Sequence, residues 1–333
     1  MKKLTMIVVS IFLMTICALS AGEAQEALVA KAKAEGKATF YANITAIEPV
    51  LDAFAKKFEV KGEYTRMSTD KFVATVATEH DAGKLMADVL QAPIPILEIL
   101  KAKGILASYK SPAASGYPEW TRKDDKIQIF GIEYVCLLYN KELVKPGDVP
   151  KRYEDLTDPK WNGKIVMGNP TSHATTISWL IGLKEQVFST EDAWMKFVKG
   201  LAANKPMFVA SFGPTPAPIE SGEKWIGISM PKYIMTKAPA PLDWARIEQP
   251  MLGTPRGMAI TVKAPHPNAA RLFFDYWLSQ ESAKILADKV GEYVLYPGVY
   301  PPIAGIDKAK VQPIRELSDD EIRHWAGEFK KIF

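Results

Sequence analysis

The sequence predicts an α/β protein of two lobes, each a mainly parallel sheet flanked by helices, with a cleft between them. Three observations carry this. Strand-like and helix-like segments alternate along residues 26–104, the pattern of parallel strands joined by helical crossovers. A stretch rich in proline, glycine and charge at 141–163 interrupts the alternation, and a second α/β set follows it. The chain has 333 residues, enough for two units on a scale of roughly 100–200 residues per domain. At 47% hydrophobic and 24% charged it can bury sizeable cores.

The start of the chain stands apart. In MKKLTMIVVSIFLMTICALSAGEAQ, Lys2 and Lys3 precede an apolar run from Met6 to Leu19, and small residues follow. This is the plan of a secretory signal peptide over 1–24, with cleavage near 20–24. The run is short for a membrane span, which needs about 20 residues. Cys17 follows Ile16, where a lipid-attachment box wants a small residue, so the chain is not read as a lipoprotein. With the leader removed, Cys136 is the one cysteine left and no internal disulfide forms. It lies in the apolar run IQIFGIEYVCLLYN and reads as a buried small hydrophobe. The formal charge of +4 falls to +2 without Lys2 and Lys3. Basic residues are spread along the chain with acidic ones beside them, and nothing resembles a stripe for nucleic acid.

The elements follow in order. EALVAKAKAEG reads as a helix closed by Gly36. KATFYAN is a strand, EPVLDAFAKKFEV an amphipathic helix, GEYTRMS a strand, and DKFVATVATEHDAGK a helix. ADVLQAP is a short strand, and IPILEILKAKG a helix ending at Gly104. GIEYVCLLYN is a long apolar strand, and 141–163 reads as a surface connection. GKIVMGNP then opens the second set. Helices at TSHATTISWLIGLKEQ and STEDAWMKFVKGLAAN and strands within KPMFVASF, SGEKWIGISM and TPRGMAITVKAPHP follow. NAARLFFDYWLSQESAKILADKVG is helical with a broad apolar face. Strands near 130–140 and 255–263 would join the lobes. The first lobe is expected over 25–135 plus 260–333, the second over 136–259.

In open α/β sheets ligands sit beyond the C-terminal ends of strands, where helices begin. NPTSHATTISWL (169–180) lies at such a junction, with Thr171, Ser172, Thr175 and Thr176 crowding a helix start. One hydroxyl suffices to cap a helix. A helix start also offers free N–H groups and a positive dipole end, the makings of an anion site.

Several segments together resemble a known family: GKLMADV, LYNKEL followed by YEDLTDPKWNGKIVMGNP, SGEKWIGI, KAPHPNAARLFFDYWLSQESAKILA and the late YPGV. They resemble family 1 extracellular solute-binding proteins of ABC importers, in the branch of the ferric-iron-binding proteins. The resemblance covers almost the whole mature chain, and the signal peptide agrees with it. It implies a type 2 periplasmic binding fold whose lobes close on a solute. It also implies a periplasmic location, a monomer, and delivery to an ABC permease in the inner membrane.

The iron-binding branch holds Fe(III) with a His after the first strand, a Glu after the Ala-Asp-Val strand and two adjacent tyrosines. This chain departs at most of these places, and of the tyrosine pair only Tyr233 remains. Thr45 stands near the His position, Pro93 near the Glu position, and Lys232-Tyr233 replaces the tyrosine pair. One phenolate is a poor Fe(III) site, and an ammonium repels the cation. Lys232 suggests the opposite preference. With the hydroxyl-rich helix start it would receive a carboxylate, phosphonate or phosphate. The expected solute is therefore a small organic anion or zwitterion, and no cofactor or resident metal is expected.

The candidate contacts follow. Ser172, Thr175 and Thr176 form the helix start, one of them serving as its cap, and His173 is read as solvent-facing. Ser68 and Thr69 precede another helix. Asn43 and Thr45 follow the first strand beside Tyr41, and Gln91 follows Ala-Asp-Val. Phe212 lies in a proline-bordered loop. Tyr233 is the leading candidate, and Arg256 contacts either an anion or a neighbouring carboxylate. Glu133 pairs with a ligand amine if it faces the cleft and is a surface charge if it does not.

Catalytic motifs are missing. His80, His173, His266 and His324 form no H-E-x-x-H, and there is no G-x-S-x-G elbow or P-loop. The chain is read as a binding protein and not an enzyme. Two alternatives stand beside the anion reading. One is Fe(III) as cargo, held by Tyr233 with a synergistic anion or with Tyr41, Tyr134 or Tyr139. The other is a sensory partner that presents the solute to a receptor.

Overall fold

The computed structural model describes residues 22–333 with the exception of 68 and 123. Of the expected signal peptide, residues 1–21 lie outside them. The first helix, α1 (22–35), ends where Gly36 takes a left-handed φ of 79°. β1 (Lys37–Ala42), α2 (Glu48–Phe58), β2 (Lys61–Arg66), α3 (Thr69–Asp81), β3 (Val89–Pro93) and α4 (Ile94–Ala102) follow in the expected alternation. Proline stands in the first turn of both α2 and α4, where its missing N–H costs nothing.

The long apolar run at 131–140 is not one strand. β4 (Gln128–Tyr134) and β5 (Cys136–Asn140) meet at Val135 and belong to different sheets. This is the first crossing between the lobes. β6 (Ile165–Gly168), α5 (Ala174–Gln186), α6 (Glu191–Ala203), β7 (Met207–Val209), α7 (Pro216–Glu220), β8 (Ile226–Ser229), α8 (Tyr233–Thr236) and β9 (Leu242–Trp244) build the second lobe. The chain then returns to the first sheet as β10 (Met251–Ile260), followed by α9 (Pro267–Trp277), α10 (Gln280–Ile285), β11 (Tyr293–Val294), β12 (Val311–Pro313) and α11 (Asp319–Phe329).

The larger sheet has seven strands in the order β11-β4-β10-β3-β1-β2, with β12 beside β10. The smaller has five, ordered β7-β6-β8-β5-β9. Pairing is parallel at β2-β1-β3 and at β7-β6-β8, the segments where strand and helix alternate. It is antiparallel where the crossing strands enter: β10 against β3 and β4, and β5 against β8 and β9.

Four segments differ from expectation. β10 pairs with β3 and β4 in the larger sheet, so the return crossing lies at 245–250 and not at 255–263. The tail also departs from the expected division. Ile314, Leu317 and Phe329 join the core of the second lobe, and Trp194 there packs edge-on against Trp325 at 5.5 Å. The presumed surface connection at 141–163 buries Tyr153, Leu156 and Trp161 completely or nearly so, because its short 3₁₀ turns face the second core. The helix expected over 268–291 breaks after Trp277, where Ser279 caps α10.

Two clusters flank the larger sheet. Phe40 packs between Phe273 and Trp277, each at 5.1 Å, on one face. Its neighbour Tyr41 joins Phe72 and Leu90 on the other, as the two-residue period of a strand requires. Burying each such side chain contributes about 1.5–3 kcal/mol. Cys136 is buried and its thiol pushed well up by burial, as a small core residue.

Candidate functional site

The site begins where β6 ends. Gly168 leads into a turn built by Asn169, whose Oδ1 accepts from the Thr171 amide at 2.9 Å and hydroxyl at 2.8 Å. Its carbonyl accepts from the amides of Ser172 and His173. α5 then starts with His173 in the capping position and no side chain capping it. The expected cap among the hydroxyls is therefore absent. Thr171 is engaged by Asn169, and Thr176 Oγ1 lies 2.8 Å from His173 Nδ1. Ser172 is exposed and Thr175 partly exposed. The first-turn N–H groups of α5 keep the positive end of a 13-residue helix open.

His173 is not solvent-facing. It is half-buried, its ring edge-on to Phe212 at 5.0 Å. Burial lowers its pKa, against the opposing pull of Glu133, so the neutral ring prevails at neutral pH. Gly168 makes this packing possible. A Cβ there would lie 2.4 Å from Thr176 Oγ1 and 2.6 Å from His173 Nδ1. Phe212 itself is buried in the second core, below its cleft-facing contact with His173.

Opposite α5 lies a charged network. Arg256 on β10 donates through Nε (3.1 Å) and Nη2 (2.6 Å) to Glu133 Oε2 on β4, and through Nη1 (3.0 Å) to Glu292 Oε2. Lys232 Nζ donates to Glu292 Oε1 at 3.0 Å. Lys232 precedes α8 in the second lobe, and Glu292 precedes β11 in the first, so this bond crosses the cleft. The side chains of Arg256 and Glu292 are only 4% and 6% exposed, which removes most solvent screening. Burial disfavours the Glu133 carboxylate, but the charges of Arg256 and Lys232 outweigh it and hold its pKa below the usual range. Burial likewise opposes the Arg256 guanidinium, and the two carboxylates more than offset this. Buried pairs of this kind roughly balance desolvation against attraction while intact, and removing one partner is costly.

Tyr233 is buried beside the network, with the Lys232 ammonium 6.0 Å from its ring. Burial and then the Glu133 charge push its phenol pKa up, so it is held protonated. The cavity between Tyr134, Met230, Lys232, Glu292 and Tyr293 has room for about 10 Å³, the lower limit for a single water. A solute reaches these charges only as the lobes part.

The structure thus brings together Glu133, Lys232, Tyr233 and Arg256. It adds two residues that the sequence reading did not place in the site, Glu292 and His173. A carboxylate directly after the helix-ending Gly291 was the available signal for Glu292. Asn43, Thr45 and Gln91 lie at strand ends of the first lobe. Gln91 is fully buried; its Oε1 accepts from the Ile44 amide at 3.0 Å and its carbonyl from the Asn43 amide at 3.3 Å. Its Nε2 has no hydrogen-bond partner among the described residues. Asn43 and Thr45 are half-buried in the turn after β1. Thr69 begins α3, and its side chain, like Ser68, lies outside the described residues. Among the described residues no cluster of three His, Cys, Asp or Glu side chains forms a metal-ion site, and no helix is long and apolar enough to cross a membrane.

Comparison with known proteins gives a consistent picture. The sequence pattern of bacterial extracellular solute-binding proteins matches residues 86–324. An uncharacterised protein of Haemophilus influenzae is 28% identical over 287 residues, spanning 80% of this chain and 79% of that one. A putative 2-aminoethylphosphonate-binding periplasmic protein of Salmonella paratyphi A is 24% identical, spanning 69% and 68%. Among solved structures, the substrate-binding protein of an ABC transporter from Agrobacterium tumefaciens superposes with a TM-score of 0.76. It covers 89% of this chain and 95% of that one at 15% identity, a likeness of fold.

Proposed function

Because this chain belongs to the bacterial extracellular solute-binding family and is the solute-binding component of an ABC importer, we propose that its cargo is a small organic anion or zwitterion carrying a carboxylate, phosphonate or phosphate. The acid group sits at the start of α5, between the open first-turn amides and the cations Lys232 and Arg256. One observation carries this reading. A long helix begins at the cleft without a side-chain cap, and its capping residue His173 is close enough to Glu133 to feel the charge of the network. An uncapped helix start beside buried cations favours an acid group. The 24% identity to a protein named for 2-aminoethylphosphonate points the same way.

Binding alone completes the task; no catalytic step or cofactor enters, and the protein acts as a periplasmic monomer without a nucleic-acid partner. Solute contacts to both lobes favour the closed form that a permease would recognise. Ser172, Thr175 and the α5 amides contact the acid from the second lobe. Asn43 and Thr45, half-buried in the turn after β1, contact it from the first lobe, and the fully buried Gln91 holds that turn through the amides of Asn43 and Ile44.

Thermal melting against a panel of carboxylates, phosphonates, sulfonates, sugar phosphates, amino acids and Fe(III) with and without citrate tests the reading. A ligand that binds only the folded state raises the midpoint. A shift with organic acids supports it. A shift with Fe(III) alone, with the colour of a tyrosinate centre, replaces it with iron carriage through Tyr233.

A further inference from the structure

We propose that Glu292 is the specificity-determining residue of this cleft and selects a zwitterion over a plain acid. The proposal rests on the reading of the cleft as a receptor for an acid group and names the class of acid it admits.

Glu292 bridges both cations that an acid would use, with Oε1 on Lys232 and Oε2 on Arg256, each at 3.0 Å. Glu133 takes the remaining donors of Arg256. Two cations thus face two carboxylates, and the site is neutral before any solute arrives. A plain anion must draw Lys232 or Arg256 away from Glu292, leaving a carboxylate underpaired where its side chain is 6% exposed. Uncompensated buried charge is strongly disfavoured. A zwitterion brings its own cation. Its ammonium has three donors, and acceptors are in place. Both Arg256 bonds to Glu133 end on Oε2, so Glu133 Oε1 has no protein donor among the described residues. The solute acid takes over Lys232 while its ammonium takes over the carboxylates, and the balance is restored.

The backbone supports this role. Gly291 brings Glu292 to Lys232 across the cleft: a Cβ on Gly291 would lie 3.0 Å from Lys232 Cβ. Glu292 therefore meets a cation of the opposite lobe at a point of backbone contact, where a solute replacing it must also bridge the lobes.

Titration calorimetry with matched ligand pairs tests the proposal: 2-aminoethylphosphonate against ethylphosphonate, β-alanine against propionate, and phosphoethanolamine against ethyl phosphate. The wild-type protein should favour the amino member of the pair it binds best by about tenfold or more. Glu292→Gln should bring the pair to within about threefold, chiefly by gaining affinity for the plain acid. Glu292→Asp, which keeps the charge, should retain the preference and serves as the folded control. Equal binding of both members by wild type overturns the proposal, as does an undiminished preference in Glu292→Gln. If acids bind without regard to Glu292, the acid-receptor reading survives and only this proposal falls. If no acid binds and Fe(III) does, that reading fails first and takes this one with it.

Discussion

Gly291 and Lys232 touch across the cleft. A Cβ on Gly291 would meet Lys232 Cβ at 3.0 Å and Cα at 3.3 Å, and Gly291 holds a φ of 74°. The first lobe therefore meets the second through a residue that needs both a left-handed backbone and the absence of a side chain. Gly291→Ala is expected to cost about 1–3 kcal/mol from the left-handed conformation alone. It should also push Lys232 away from Glu292 and weaken solute binding. Urea denaturation together with calorimetry checks both; unchanged affinity would remove this contact from the binding surface.

Arg256 and Lys232 should differ in what their loss does. Arg256→Ala strands two buried carboxylates and should destabilise by about 3–5 kcal/mol. Lys232→Ala leaves Glu292 held by Arg256, so its effect on stability should be clearly smaller while solute affinity still drops. Equal destabilisation in the two variants would contradict the shared role assigned to Arg256.

Gly168→Ala addresses the start of α5. The new methyl would collide with Thr176 Oγ1 and His173 Nδ1. Overpacking of this kind costs about 1–3 kcal/mol. The turn into α5 should shift and solute affinity fall with it. A variant with wild-type affinity would show that the α5 start does not hold the solute.

His173 gives a pH dependence. Burial depresses its pKa in the folded protein below the ordinary 6.5, against the pull of Glu133. Its contribution to stability is full above the unfolded pKa and is lost as pH falls through the lowered value. The melting temperature should therefore decline in weakly acid buffer, below the ordinary histidine range, more steeply in wild type than in His173→Gln. Parallel profiles for the two proteins would count against a buried neutral ring. Glu133, also depressed, contributes in the same direction only at lower pH, below its ordinary 4.5.

Phe273→Ala separates stability from binding. Phe273 is fully buried against Phe40, Phe54 and Trp277, within the packed face of the larger sheet. Its truncation should cost about 3–5 kcal/mol and leave the solute dissociation constant of the folded fraction unchanged. A shift in affinity would mean that this core is coupled to the cleft.

The sequence carried most of the first lobe because its signals are local. Alternating periods placed β1 to α4, and Gly36 and Gly104 marked helix ends by the left-handed conformations they adopt. Local pattern failed where tertiary contact overrules it. The run at 131–140 is continuously apolar, yet Val135 divides it because its two halves find different sheets. Trp325 and Phe329 belong to the second core because α11 folds back beside α5, and nothing near residue 325 encodes that partner.

The site divides in the same way. By itself the sequence determined the family, the hydroxyl-rich junction after β6, and the candidates Glu133, Lys232, Tyr233 and Arg256. Each rests on residue type and neighbouring residues. Only the tertiary structure decided that the hydroxyls leave α5 uncapped, that His173 is packed against Phe212, and that Glu292 ties Lys232 to Arg256. The physical reason is separation along the chain. Charges 36 and 60 residues from Glu292 become its partners, and such pairing is fixed by how two sheets and their crossings bring strand ends together.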